Sequence, residues 1–129
     1  MNPQEVKIVN LTPHPITLDG AAGSITVPPS GTVAKVSTDE RVYAPGIFTD
    51  AGYIPYINRK FSGVTGLPEQ PENGAIYVVS SMVLSAVEAD AKLNHRWWAY
   101  LYAPDTGPTA RRDEKGNVVA VTRLVGIAL

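Results

Sequence analysis

Cysteine is absent from the 129 residues, and its absence excludes disulfides, thiolate metal sites, iron–sulfur ligation and thiol nucleophiles. A reducing compartment suits such a chain. Histidine is scarce, with only His14 and His95. Charge of one sign is lacking too: 11 basic and 12 acidic side chains give a formal net charge of −1, which argues against a protein that coats duplex nucleic acid through its net field. No long hydrophobic run occurs. The longest, residues 75–79 and 97–104, fall far short of the roughly 18 residues needed to span a bilayer. Residues 1–7 are polar with no apolar stretch behind them, so no secretory leader is expected. The chain reads as soluble and as one domain, 1–129, with a modest core.

Eleven glycines and eleven prolines are the main feature that is present, and such punctuation favours short strands and many turns. Residues 6–11 read as a first strand, ended by Pro13 and Pro15, which cannot donate to a ladder. Residues 16–18 and 24–27 flank a glycine-bearing loop and predict a hairpin. A tight turn at 28–31 is followed by strand-like alternation over 32–37. No period holds over 38–52, which reads as a long loop or excursion, while 53–61 resumes as a strand and 63–74 as a loop. The apolar run 75–80 has the character of a central strand. Ser80 or Ser81 is a fitting cap for a helix over about 82–94, with Val83, Leu84, Val87 and Ala91 on one face and Glu88 and Lys92 paired on the other. Residues 97–102 and 118–125 read as the last strands, joined by a loop over 103–117. The expected fold is α+β, a bent antiparallel sheet of six or seven short strands with one main helix at about 82–94.

Motifs that identify a chemistry are missing: the sequence has no Gly-x-Ser-x-Gly elbow, no dinucleotide or Walker-type phosphate loop and no metal-helix spacing around either histidine. His14 between prolines and His95 before Arg96 read as turn or surface residues, and the paired carboxylates Asp39-Glu40 and Asp113-Glu114 as solvated turns. No catalytic residue, metal ligand or cofactor is assigned on this basis.

Two features stand out. Read as a strand, residues 97–102 place Trp98, Tyr100 and Tyr102 on one face, an aromatic ladder able to stack a flat ring when exposed, or to serve as packing or an interface when covered. The loop after it offers Thr106, Thr109, Arg111 and Arg112, hydroxyls and guanidiniums suited to a phosphate or carboxylate, with Arg123 on the following strand able to join them. The alternative for the arginines is surface pairing with Asp113 or Glu114. Rings beside guanidiniums suggest a nucleotide site at Trp98, Tyr100, Thr106, Thr109, Arg111, Arg112 and Arg123.

Asn10-Leu11-Thr12-Pro13-His14-Pro15-Ile16, Pro28-Pro29-Ser30-Gly31-Thr32-Val33-Ala34, Gly66-Leu67-Pro68, Tyr77-Val78-Val79-Ser80-Ser81 and the segment 103–124 give the chain a resemblance to a family of small phage and prophage proteins, over nearly its whole length. The resemblance implies a phage-encoded protein of the host cytoplasm. In size, in β-rich character and in its Arg-and-aromatic C-terminal half the chain is also similar to the oligomeric sponges that sequester nucleotide immune signals, such as those countering Thoeris defence. No binding residue is transferred from either resemblance; the seven residues above rest on their own chemistry.

The expectation is therefore a non-catalytic homo-oligomeric sponge for a nucleotide-type immune signal, a cyclic ADP-ribose derivative or a cyclic oligonucleotide, without membrane or duplex nucleic acid as partner. The alternatives are a phage structural or adaptor protein, or a partner-protein inhibitor, using the aromatic strand as its interface, and thirdly a hydrolase built on His14 or His95.

Overall fold

The structure, a computed structural model, describes residues 5–128; residues 1–4 of the polar opening segment lie outside it. It is a mixed α+β fold with strands β1 (Lys7–Asn10), β2 (Ile16–Gly20), β3 (Gly23–Val27), β4 (Lys35–Thr49), β5 (Gly52–Thr65), β6 (Ala75–Val78), β7 (Leu101–Pro104), β8 (Arg111–Arg112), β9 (Val118–Ala120) and β10 (Leu124–Gly126), and helices α1 (Ser81–Ala89) and α2 (Ala91–Trp97). The strands do not form the single bent antiparallel sheet expected. They make a central four-stranded sheet in the order β1-β6-β7-β10 and three separate hairpins, β2-β3, β4-β5 and β8-β9.

Within the central sheet β1, β6 and β7 are parallel and only β10 runs opposite. The parallel pairing follows from the helical crossover between β6 and β7, which returns the chain to the same end of the sheet. Strand β6 reads Ala-Ile-Tyr-Val and is covered almost completely, as a central parallel strand requires. Ser80 caps α1, its Oγ accepting from the Val83 N–H, and Val83, Leu84 and Val87 turn inward. Trp97 is fully buried and meets the Tyr77 ring edge-on at 5.1 Å.

The helical segment divides at Asp90. Asp90 ends α1, and its carboxylate accepts from the Lys92 and Leu93 N–H groups to start α2. An aspartate that bonds nearby backbone favours a cap over a helix interior, so the single helix 82–94 is two helices, and Glu88 and Lys92 do not share a continuous helical face. The second helix runs through Trp97. The strand expected at 97–102 is accordingly replaced by a helix end, a turn at 98–100 and a strand that begins only at Leu101. Residues 118–125 also divide, into β9 and β10.

The largest departure lies at 38–52. It is not a loop: β4 and β5 form one long hairpin with pairing from Lys35↔Thr65 to Thr49↔Gly52. Fifteen residues of β4 extend roughly 45–50 Å at about 3.3 Å each. Its root is held by Val36 and Val64, which pack against the core, and by Gly66, whose positive φ of 88° lets the backbone pass so close to Val33 that a Cβ would collide. Beyond that root the hairpin stands out as an arm.

Candidate functional site

The aromatic and basic residues singled out in the sequence occupy opposite ends of β7. Trp98 caps the end of α2 and is about half exposed. Tyr100 leans on the core, its hydroxyl donating to Asn73 Oδ1 at 3.3 Å and its carbonyl accepting from the Tyr77 N–H at 2.8 Å. Five extended steps separate Tyr100 from Asp105, about 16 Å. Alternation therefore does not build a ladder of Trp98, Tyr100 and Tyr102, because the first two stand outside the strand.

Thr106, Thr109, Arg111, Arg112 and Arg123 do come together beyond the far end of β7; the side chains of Thr109 and the three arginines are engaged, and Thr106 takes part through its carbonyl. Arg111 grips Asp19 of β2 at two points, Nε to Oδ2 at 2.9 Å and Nη2 to Oδ1 at 3.3 Å. Arg112 donates to the carbonyls of Gly116 and Thr106, both at 2.8 Å, and so ties the β8-β9 turn to the preceding loop. Arg123 pairs with Asp105, which also accepts from the Gly107 N–H at 3.0 Å and from the Thr109 hydroxyl. The partner expected for Arg111 or Arg112 at Asp113 or Glu114 is thus replaced by the Asp19 carboxylate for Arg111 and by two main-chain carbonyls for Arg112. Asp113 instead organises its own turn through Asn117 and Lys115.

These contacts set the local electrostatics. The Arg111 hydrogen bond, followed by that of Ser24, holds the Asp19 carboxyl below the ordinary carboxylate range, and Arg111 is raised in turn by Asp19. Asp105 is lowered chiefly by Arg123 and then by the Gly107 N–H. Backbone N–H donation, from Asn117 first, lowers Asp113.

Beside this cluster lies an open hollow of about 730 Å³, walled by Leu18, Ile25, Val121 and Leu124 with Asp19 and Arg123 at its edge. Its walls are largely apolar, and neither Trp98 nor Tyr100 lines it. Among the described residues no group of three or more His, Cys, Asp or Glu side chains is placed to hold a metal ion, and no helix is long and apolar enough to cross a membrane.

The Asn-Leu-Thr-Pro-His segment proves to be a structural turn. Asn10 is the buried polar residue at the end of β1; its Nδ2 donates to the carbonyls of His14 at 2.8 Å and Val27 at 3.1 Å, and its Oδ1 accepts from the Thr12 N–H and hydroxyl. His14 enters this network by its main chain. His95 sits in the last turn of α2.

The arm is the surface that sequence reasoning missed. Cross-strand partners share a face, so Phe48 with Tyr53, Val42 with Ile57, Glu40 with Arg59 and Thr38 with Phe61 lie on one side, and Ile47 with Ile54, Tyr43 with Tyr56 and Asp39 with Lys60 on the other. The rings of Tyr43 and Tyr56 stack at 4.9 Å, those of Phe48 and Tyr53 meet edge-on at 5.1 Å, and Arg41 lies over Tyr43. Glu40 and Arg59 pair at 2.8 Å. Most of the distal apolar side chains face solvent, Phe48 at 74% and Val42 at 64% exposure. A signal for this was available in the near-mirror order of apolar residues about Asp50-Ala51. No family model matches the chain, and no curated protein or solved structure does either.

Proposed function

We propose that this chain is a non-catalytic structural or adaptor protein of a phage that self-assembles through its β4-β5 arm. The observation that carries the reading is the exposure of large apolar side chains on both faces of the distal arm. Isolated apolar residues on a surface need no explanation, but a run of cross-strand apolar pairs on a two-stranded ribbon does, because such a ribbon is marginally stable alone. The phage setting is supported by the sequence resemblance. This reading sets the interface on the arm in place of residues 97–102, whose Trp98 and Tyr100 stand outside the strand.

Sedimentation velocity over about 1–100 µM protein tests the reading. The intact chain is expected to associate, and the variant carrying Val42→Ser, Phe48→Ser, Tyr53→Ser and Ile57→Ser to remain monomeric with its core melting transition retained. A wild-type chain that stays monomeric across that range overturns it.

The hollow beside β2 and β10 favours a second reading, the sequestration of a nucleotide-type signal such as a cyclic ADP-ribose derivative or a cyclic oligonucleotide. Its volume falls within the range of small-molecule sites, and Arg123 stands at its edge. A phosphate there has to compete with Asp105 for that guanidinium. Incubation with a panel of such nucleotides, washing and heating should release intact ligand if this reading holds; no retained nucleotide at micromolar protein removes it.

A further inference from the structure

We propose that the tip of the arm seats in the open hollow beside β2 and β10 of a second copy of this chain. The inference rests on the assembly reading above and adds the surface of the second copy that receives the arm. Two arms cannot pair side by side along the face that carries Phe48 and Val42, because at its root Val36 and Val64 pack on the chain's own core and Phe61 shares a cleft with Ala86 and Ala89 of α1. The tip meets no such obstacle. Gly52 lies nine positions before Phe61 on β5, about 30 Å of extended chain, so an endwise contact keeps the body of the donor copy clear of the acceptor.

The two surfaces match in size, polarity and charge. Phe48 and Tyr53 are cross-strand partners at the tip and are 74% and 59% exposed, with Ile47 and Ile54 exposed on the other face. In the hollow, Leu18 and Ile25 are cross-strand partners too, and the next pair on their face is Gly20 with Gly23. That glycine pair brings no side chain, and a Cβ on Gly23 would meet nothing within 4 Å, so the end of the face stays open and Ile25 is left 54% exposed. A ring fills a cavity of roughly 150 Å³. The hollow, at about 730 Å³, therefore has room for both rings and the two isoleucines. Asp50 sits in the turn between the rings and has no ion pair among the described residues. Arg123, at the edge of the hollow, keeps 63% of its side chain exposed while its Nε holds Asp105, which leaves its Nη donors for the Asp50 carboxylate. Arg111 and Arg112 do not line the hollow. The exposed parts of the four apolar side chains come to roughly 450 Å², or about 900 Å² with the area they cover, the size of a weak and reversible contact.

Donor and acceptor are different patches, so they can be disabled one at a time. Phe48→Ser with Tyr53→Ser blunts the tip and leaves the hollow; Ile25→Asp sets a carboxylate on the wall of the hollow and leaves the tip. All three side chains are exposed, and circular dichroism checks that each variant folds. In sedimentation velocity each variant alone should associate at least 10-fold more weakly than wild type. Their equimolar mixture holds one intact tip and one intact hollow per pair and should form a one-to-one heterodimer and nothing larger. As a second measurement, Ala51→Cys at the tip mixed with Ala22→Cys at the hollow should form a disulfide-linked heterodimer faster than either variant links to itself, with no native thiol to interfere. Heterodimer in the mixture supports the proposal, as does the preferential cross-link if Ile25→Asp does not fold. A wild type that associates while Ile25→Asp associates equally well, or whose variants give neither a heterodimer nor a preferred cross-link, overturns the hollow as the seat and leaves the assembly reading standing. A wild-type monomer overturns both.

Discussion

Arg111 and Asp19 lie 92 positions apart in sequence and close a two-point guanidinium–carboxylate contact, at 2.9 and 3.3 Å, between β8 and the end of β2. The same junction is laced by backbone: the Asp19 N–H donates to Val121 at 2.9 Å and the Val121 N–H to Thr17 at 3.0 Å. Planar bidentate geometry makes this pair more specific than an ordinary surface ion pair. It fixes the C-terminal segment against the N-terminal hairpin and shapes one wall of the hollow.

A pH dependence follows from this contact. Asp19 has its carboxyl lowered in the folded chain, first by Arg111 and then by Ser24, so the folded state holds fewer protons there than the unfolded chain does. Its stabilisation is fully present above the unfolded value near 3.8 and is lost as pH falls through the lowered folded value. Asp19→Asn should therefore lower the melting temperature at neutral pH and cease to differ from wild type in strong acid. Thermal melts from about pH 2 to 7 measure this, and an equal deficit at every pH would contradict it.

The parts of the fold that were legible in the sequence are those where one face is buried. Ser80, Val83, Leu84 and Val87 announce α1 because its cap and its inward stripe coincide, and the run at β6 is apolar because both its faces are covered. The arm carries no such record, since alternation reports a buried face opposed to a wet one, and along β4 most side chains on both faces are exposed. Trp97 misled for a different reason. Aromatic residues favour strands on average, but the Asp90 cap and the pocket against Tyr77 commit Trp97 to a helix. At the candidate site the clustering of Arg111, Arg112 and Arg123 was legible, while the pairing of Arg111 with a residue as distant as Asp19 depends on tertiary structure.

Asn10 is expected to be among the most sensitive polar positions. Its side chain satisfies the carbonyls of His14 and Val27 and receives two donors from Thr12, so Asn10→Ala leaves several part-buried groups unpaired around a position that is itself buried. The expected loss is about 2–3 kcal/mol, read by urea denaturation. His14→Ala should cost far less, since His14 contributes only its carbonyl to this network.

Arg111→Ala with Arg112→Ala separates the two functional readings. Both side chains act within the C-terminal cluster, far from the register of the arm, so sedimentation should show association unchanged. Retention of any nucleotide in the adjoining hollow should be lost, because removal of Arg111 frees Asp19 at its edge as an unpaired carboxylate. Loss of association in this variant would argue that the cluster, and not the arm, builds the assembly.

Gly46 supplies the sharpest test of the arm as an independent element. Between Tyr43 and Ile47 the β4 strand carries extra residues opposite Pro55, a bulge of the kind that bends a ribbon and raises its twist. Gly46 sits in it with φ of 95°, and a Cβ there would collide with the Ile54 carbonyl. Gly46→Ala must therefore shift the strand or hold a strained backbone, at a cost of about 1–3 kcal/mol. That cost falls on a ribbon whose distal half does not touch the core, so the central sheet, anchored by Tyr77, Val79 and Trp97, should melt at the wild-type temperature. What should change is the arm alone: faster hydrogen exchange over residues 42–57 and a dissociation constant for self-association raised by about 5- to 150-fold, the ratio that the same strain free energy gives. Unchanged exchange in the arm, or a core that melts with it, would show that the ribbon is not the separable and strained element described.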